Sequence, residues 1–121
     1  MDARFPPERR LRRRRDIDLV WRRGRRFAGR LLRVHARPNG LTLSRIAFSI
    51  PSRLCDAVER NRWKRLLRES FRLHAAEVGP GLDLVVVPLR GPGDLKRPDV
   101  DGPFLELVRR ARAGLSGEAR A

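Results

Sequence analysis

Between positions 60 and 72 the chain carries six cationic side chains, Arg60, Arg62, Lys64, Arg65, Arg68 and Arg72, with Asn61 among them. Set on a helix, Asn61, Lys64, Arg65, Arg68 and Arg72 share one stripe, flanked by Arg60 and Arg62. Trp63, Leu66, Leu67, Ser70, Phe71, His74 and Val78 share the opposite stripe, which should face a sheet, with Trp63 as core. Only Glu69 lies close enough to offset the charge. A solvated helix face usually mixes both signs, and this one does not. The chemistry such a ridge can do is phosphate neutralisation: each guanidinium pairs bidentately with phosphate oxygens, and condensed counterions are released from the nucleic acid. The whole chain agrees, with 29 Lys+Arg against 14 Asp+Glu and a net charge of +15. A genome rich in G and C would favour arginine over lysine, but it would not produce the excess of charge.

Other reactive residue types are sparse. No pair of carboxylates is spaced for metal-assisted hydrolysis, and His35 and His74 are too few for a general base with an orienting partner. Cys55, the single cysteine, excludes an internal disulfide and reads as a small packed residue rather than a redox thiol. Asp94, Asp99 and Asp101 read as solvated turn residues rather than a cation site. The expectation is therefore binding without catalysis. There is no apolar run of the roughly 18 residues a membrane span needs and no secretory pattern, so a reducing cytoplasm is the expected home and no membrane partner is expected.

The ridge must be held by a single domain of residues 16–115, preceded by a flexible or loosely docked Arg-rich arm (1–15) and followed by a short tail (116–121). A short helix is expected over 16–23, with Ile17, Val20 and Trp21 on one face and Gly24 closing it. Alternation of Leu32, Val34 and Ala36 with Arg33, His35 and Arg37 predicts a half-buried strand over 30–37. Pro38-Asn39-Gly40 marks a turn, and a strand with Ile46, Phe48 and Ile50 on one face runs to Pro51. A helix over 57–78 starts at Asp56, with Glu59 placed for a capping box, and ends at Gly79-Pro80-Gly81. The run LDLVVVP (82–88) predicts a strand covered on both faces. A Pro/Gly/Asp-rich loop over 90–103 should lead to a last helix over about 104–115, with Pro103 near its start.

The segment Ala57-Val58-Glu59-Arg60-Asn61-Arg62-Trp63-Lys64-Arg65-Leu66-Leu67-Arg68-Glu69-Ser70-Phe71-Arg72 resembles the signature helix of the ribonuclease P protein family, AVxRNRxKRxxRExFR, at every fixed position. The resemblance extends over roughly residues 10–90, taking in Leu11 to Gly24, Gly24 to Phe27, Arg45 to Ile50 and Asp83 to Val87. It implies an α+β fold, an α-β-β-β-α-β-α two-layer sandwich with the signature helix in a left-handed βαβ crossover. It also implies that Arg53, Arg60, Asn61, Arg62, Lys64, Arg65, Arg68 and Arg72 touch the ribonuclease P RNA. A cleft between the first helix and the sheet, with Ile17, Trp21, Arg33 and His35, would take the single-stranded 5′ leader of precursor tRNA. The implied protein is a non-catalytic subunit, one per RNA, whose RNA partner supplies the active site and its Mg²⁺ ions.

Two departures stand out. The family's first helix commonly carries two aromatic residues toward the cleft, where this chain has Ile17 and Trp21; on so short a helix, Trp21 is as readily core as stacking platform. The stretch before the signature helix, usually S-K-K-x-G-x-AV, reads Pro51-Ser52-Arg53-Leu54-Cys55-Asp56-Ala57-Val58, so a lysine and a glycine are lost. A ribosomal or RNA-chaperone protein is the rival reading, and it gives no reason for the signature spacing. A membrane-surface protein is third, opposed by the lack of apolar clusters on the basic face.

Overall fold

The computed structural model describes residues 7–120, with side chains through 116; the first six residues of the arm and the end of the tail lie outside that description. In chain order the elements are α1 (Arg14–Arg23), β1 (Arg25–Ala28), β2 (Leu32–Pro38), β3 (Arg45–Phe48), α2 (Ala57–Leu73), the one-turn α3 (Ala75–Val78), β4 (Leu82–Pro88) and α4 (Arg97–Arg120). The four strands form one mixed sheet in the order β1-β2-β4-β3. β1 and β2 pair antiparallel, as do β2 and β4, whereas β3 runs parallel to β4. A parallel pair cannot be joined by a tight turn, so α2 is the element that carries the chain from β3 back to β4.

Period-two alternation divides the sheet between two apolar clusters. Leu32, Val34, Ala36, Ile46, Leu84 and Val86 point toward α2 and α4 and join Trp63, Leu67, Phe71, Phe104 and Val108 in the main core. Val85 and Val87 point the other way, where Leu11 and Val20 cover them and Ile17 and Ala47 pack alongside. β4 is buried at every position, Asp83 among its apolar residues included. With α1 on the face opposite α2 and α4, the arrangement has a partial third layer where two were expected. The reason is that Val85 and Val87 would otherwise be left bare on a central strand.

α1 and β1 meet at Gly24, whose extended backbone (φ −76°, ψ 165°) carries the chain straight from helix to strand. A Cβ there would lie 2.4 Å from the Val20 carbonyl oxygen and 2.9 Å from that of Ala36. The helix end is thus seated on β2 as closely as backbone allows.

The buried side chains of Ser44, Ser70 and Asp83 all find partners. Asp83, 1% exposed, receives both Arg45 Nε (2.8 Å) and Arg45 Nη2 (2.7 Å), together with Asn39 Nδ2 (2.9 Å). Arg45 faces Asp83 across the parallel register and reaches Asp16 of α1 at 3.5 Å, so one guanidinium ties β3, β4 and α1. The Asp83 hydrogen bond, more than any other influence, raises the Arg45 pKa, which keeps the guanidinium charged. Ahead of α1, Leu11 N–H donates to the Ile46 carbonyl (2.9 Å), so the end of the basic segment lies along β3.

Several boundaries differ from those the sequence suggests. α1 begins at Arg14 rather than at 16, and β1 appears where the alternation gave no strand, since only Phe27 of its four residues is buried. The helix expected over 57–78 ends at Leu73, because His74 (φ −116°, ψ 24°) leaves the helical region before α3 brings Val78 into the core. α4 begins at Arg97, not 104, and Pro103 lies inside it. Asp99 Oδ2 accepts from Lys96 N–H at 2.8 Å, which caps the early start. Pro103 has no N–H to give the Asp99 carbonyl, yet the helix continues because Val100, Phe104, Leu107, Val108, Ala111 and Leu115 all bury. Asp99 and Asp101 are therefore helical residues, not members of a loop.

Candidate nucleic-acid interface

α2 begins on a complete capping box: Glu59 N–H donates to Asp56 Oδ1 (2.8 Å), and Asp56 N–H donates to Glu59 Oε1 (3.0 Å). Its inner stripe anchors it. Trp63, Leu67 and Phe71 are fully buried, and Trp63 Nε1 donates to the Arg90 carbonyl at 3.0 Å. With that side fixed, the outer stripe is presented rigidly. Arg60, Asn61, Arg65 and Arg68 are exposed, Lys64 is half-buried, and none of the five forms a side-chain hydrogen bond or ion pair among the described residues. Arg53 is exposed in the turn before the helix.

Two members of the predicted ridge are otherwise engaged. Arg62 turns back and donates from Nη1 to the Gly93 carbonyl and from Nη2 to the Leu95 carbonyl, holding the segment that leads into α4. Arg72 pairs with Glu69 through Nε–Oε2 (3.1 Å) and Nη2–Oε1 (2.8 Å). That hydrogen bond lowers the Glu69 pKa and raises that of Arg72. The one carboxylate able to offset the ridge is thus spent on its last member, and Arg60, Lys64, Arg65 and Arg68 remain uncompensated.

The expected cleft residues come together on the other face of the sheet. The Trp21 and His35 rings lie 4.4 Å apart, tilted by 59°. Trp21 is 39% exposed and outside both apolar clusters, so the core alternative for it falls. Arg33 Nε donates to His35 Nε2 at 2.9 Å. A guanidinium can only donate, so Nε2 must accept and the imidazole proton sits on Nδ1. Burial first, then the charges of Arg33 and Arg26, push the His35 pKa below its ordinary value and keep the ring neutral. Ile17 is half-buried beside Leu11 and Val20, at the edge of this surface rather than under Trp21.

Ile17, Ala47 and Phe48 floor a groove of about 340 Å³ whose walls are Arg10 and Arg12 on one side and Lys64 and Arg68 on the other. The ridge and the α1 surface therefore adjoin, although sequence spacing places them apart. Arg10, Arg12 and Arg26 were not singled out by spacing. The arginine run of 9–15 was a signal for the first two, but only the pairing of the segment with β3 aims them.

Cys55 is buried, and loss of solvent, followed by the charges of Glu59 and Asp56, pushes its thiol pKa up. It is a packed residue and a poor nucleophile. Asp101 accepts from Ser70 Oγ (2.7 Å) and is ion-paired with Arg97 and with His74 Nε2 (3.2 Å). This network joins α2 to α4, and Ser70 points at the carboxylate rather than at the imidazole, so it is not a nucleophile with a base. Among the described residues no three His, Cys, Asp or Glu side chains gather to hold a metal ion, and no helix is long and apolar enough to cross a membrane.

An α+β frame that displays a row of uncompensated cations on one helix face has the character of an RNA-binding protein, and comparison with known proteins narrows the class. The family model described as Ribonuclease P matches residues 5–112. The ribonuclease P protein component of Finegoldia magna is 38% identical over 104 residues, covering 84% of this chain and 89% of that protein. That of Pelotomaculum thermopropionicum is 35% identical over 106 residues, covering 88% and 95%. Among solved structures, the RNase P protein from Thermotoga maritima in complex with 1-(4-fluorophenyl)-2-thiourea superposes with a TM-score of 0.76 at 31% identity, covering 84% of this chain and 98% of that one. The chain belongs to the ribonuclease P protein family. Within the bacterial enzyme its place is that of the non-catalytic protein subunit.

Proposed function

We propose that this subunit binds the ribonuclease P RNA along the outer face of α2 and holds the 5′ leader of precursor tRNA over the α1 face of the sheet, while the RNA subunit and its Mg²⁺ ions cut the bond. The observation that carries the reading is the row of uncompensated cations within the AVERNRWKRLLRESFR helix. Arg60, Asn61, Lys64, Arg65 and Arg68, with Arg53 in the preceding turn, take RNA phosphates. Arg62 shapes the loop behind the ridge, and Arg72 contributes only after releasing Glu69. Trp21, exposed and set against a neutral His35, offers a ring face to a leader base. Arg33 and Arg26 supply charge to its phosphates, and Ile17 forms the apolar edge.

Binding of this kind draws much of its affinity from counterion release. By screening repulsion between the leader and the catalytic RNA, the subunit holds the scissile phosphate where the RNA can act on it. One protein serves one RNA, in the cytoplasm, and the β3-α2-β4 crossover takes the left-handed course that its family resemblance implies. The test is reconstitution. Protein freed of RNA should leave precursor tRNA intact at every Mg²⁺ concentration, and adding the cognate RNA subunit should produce a mature 5′ end. Sustained 5′ processing by the RNA-free protein would overturn the proposal.

A further inference from the structure

A second groove, of about 760 Å³, lies on the far flank of α4 from α2, between that helix and the turn joining β1 to β2. Its floor is apolar, made by Leu31, Pro103 and Leu107, and its rim carries Arg30, Arg109 and Arg110 against the single carboxylate of Glu106. Arg30 and Arg109 are exposed, with no side-chain partner among the described residues. Arg110 is fixed by donating from Nη1 to the Ala28 carbonyl at 3.1 Å, which points one cation along the groove wall. The channel has room to spare at both of its glycines. A Cβ on Gly29 would meet the Leu107 methyls at 3.8 Å, whereas at Gly102 nothing stands within 4 Å. A cleft of this volume with an apolar floor and few polar groups is the ordinary form of a binding site. Guanidinium groups around it select a polyanion with flat apolar parts, and unpaired RNA has both.

Position chooses which RNA. Arg30 and Leu31 lead directly into Leu32 and Arg33 of β2, and Arg33 is the residue that holds His35 beneath Trp21. The β1–β2 turn is the end of the sheet, so a strand that crosses Trp21, His35 and Arg33 reaches Arg30 as it rounds that end, and then meets Arg109 and Arg110. The α2 ridge faces elsewhere.

We infer that this groove is a second leader subsite, which takes the 5′-distal, unpaired part of the precursor leader with its phosphates on Arg30, Arg109 and Arg110 and its bases on the apolar floor. The inference rests on the leader reading of the α1 face and extends it around the edge of the sheet.

The test uses the reconstituted enzyme, with precursor tRNA whose leader is shortened one nucleotide at a time from its 5′ end. R30A/R109A should lower affinity for the longest leaders about tenfold, two exposed charge contacts each supplying about a threefold factor. Affinity for short-leader and leaderless substrate should be unchanged, as should the melting temperature. A photoreactive uridine in the distal leader should crosslink to the groove in the native enzyme and not in the variant. Equal loss at every leader length, or crosslinks from the RNA subunit instead, would overturn the subsite, and so would an unchanged length profile. W21A is measured in parallel. If it has no effect on any leader-bearing substrate, the α1 reading fails by itself; if it weakens short and long leaders alike while R30A/R109A changes nothing, only the second subsite fails.

Discussion

Replacing Trp21 with alanine separates two contributions that are usually entangled in an aromatic residue, its packing and its contact with RNA. A fully buried tryptophan lost to alanine costs about 3–5 kcal/mol. Trp21 keeps 39% of its surface in solvent, and its nearest ring neighbour is His35, itself half-buried, rather than a core residue. With that much of the residue in solvent, the folding cost should be on the order of 1 kcal/mol, a shift of about 3–6 °C in melting temperature for a domain of this size. A base stacked on the free side is worth about 1–3 kcal/mol, or roughly 5–150-fold in affinity. The assay pairs a thermal melt of the protein with affinities of the reconstituted enzyme for precursor tRNA with and without its leader. The expected outcome is a small drop in melting temperature and a loss confined to leader-bearing substrate. A drop of 15 °C or more, on the order of the loss of a fully buried ring, would refute the packing argument. Equal weakening of both substrates with an intact melt would place the indole against the RNA subunit or the tRNA body.

Arg65→Ala with Arg68→Ala should leave the melt unchanged and flatten the salt dependence of binding to the RNA subunit by about 1.4–1.8 log units, two phosphate contacts' worth. Arg62→Ala should do the reverse, lowering the melting temperature through the lost Gly93 and Leu95 carbonyl contacts with little change in salt slope; matching slopes in the two variants would refute this division of labour. Asp83→Ala leaves the partly buried Arg45 guanidinium with only its 3.5 Å contact to Asp16 and should cost about 3 kcal/mol, the low end for a broken buried pair, read as a fall in urea midpoint; a loss below about 1 kcal/mol, the level of an exposed ion pair, would show that the pair contributes little. His74 is held above its ordinary pKa of 6.5, first by Glu77, then against burial by Asp101, so the folded state binds its proton more tightly than the unfolded chain. The stabilisation is fully present below about pH 6.5 and lost as pH rises through the folded value. The urea midpoint should therefore fall across neutral pH, and His74→Gln should remove that slope; an unchanged slope would contradict the assignment.

Local order was the part most open to reading from the sequence. The capping residues of α2, its buried stripe and the doubly covered β4 all follow from patterns within a few residues of one another. β1 was implied by the family resemblance but escaped the periodicity, because Arg25, Arg26 and Ala28 are exposed and a strand with one buried side chain has no alternation to read. The early start of α4 escaped because Pro98, Gly102 and Pro103 speak for a loop, and only packing of Val100 and Phe104 in the core overrules them. For the site, charge and spacing identified the ridge but not its distribution of work. Arg62 and Arg65 are equivalent in composition, and their different fates are decided by carbonyls some thirty residues away, at Gly93 and Leu95. The meeting of Ile17 with Lys64 and Arg68 in one groove likewise depends on β3 lying parallel to β4, which no periodicity reports.

The seat of α1 on β2 at Gly24 has a consequence for the tuning of such a surface. With carbonyl oxygens 2.4 and 2.9 Å from where a Cβ would stand, hydrogen is the only substituent that fits. Any larger residue must lift the end of α1, and Trp21, one turn back, would lift with it away from His35. The width available to a strand of RNA is thereby set at a hinge point that never meets RNA. The aperture is therefore fixed by the absence of one side chain, and the residues that touch the RNA can vary without changing it.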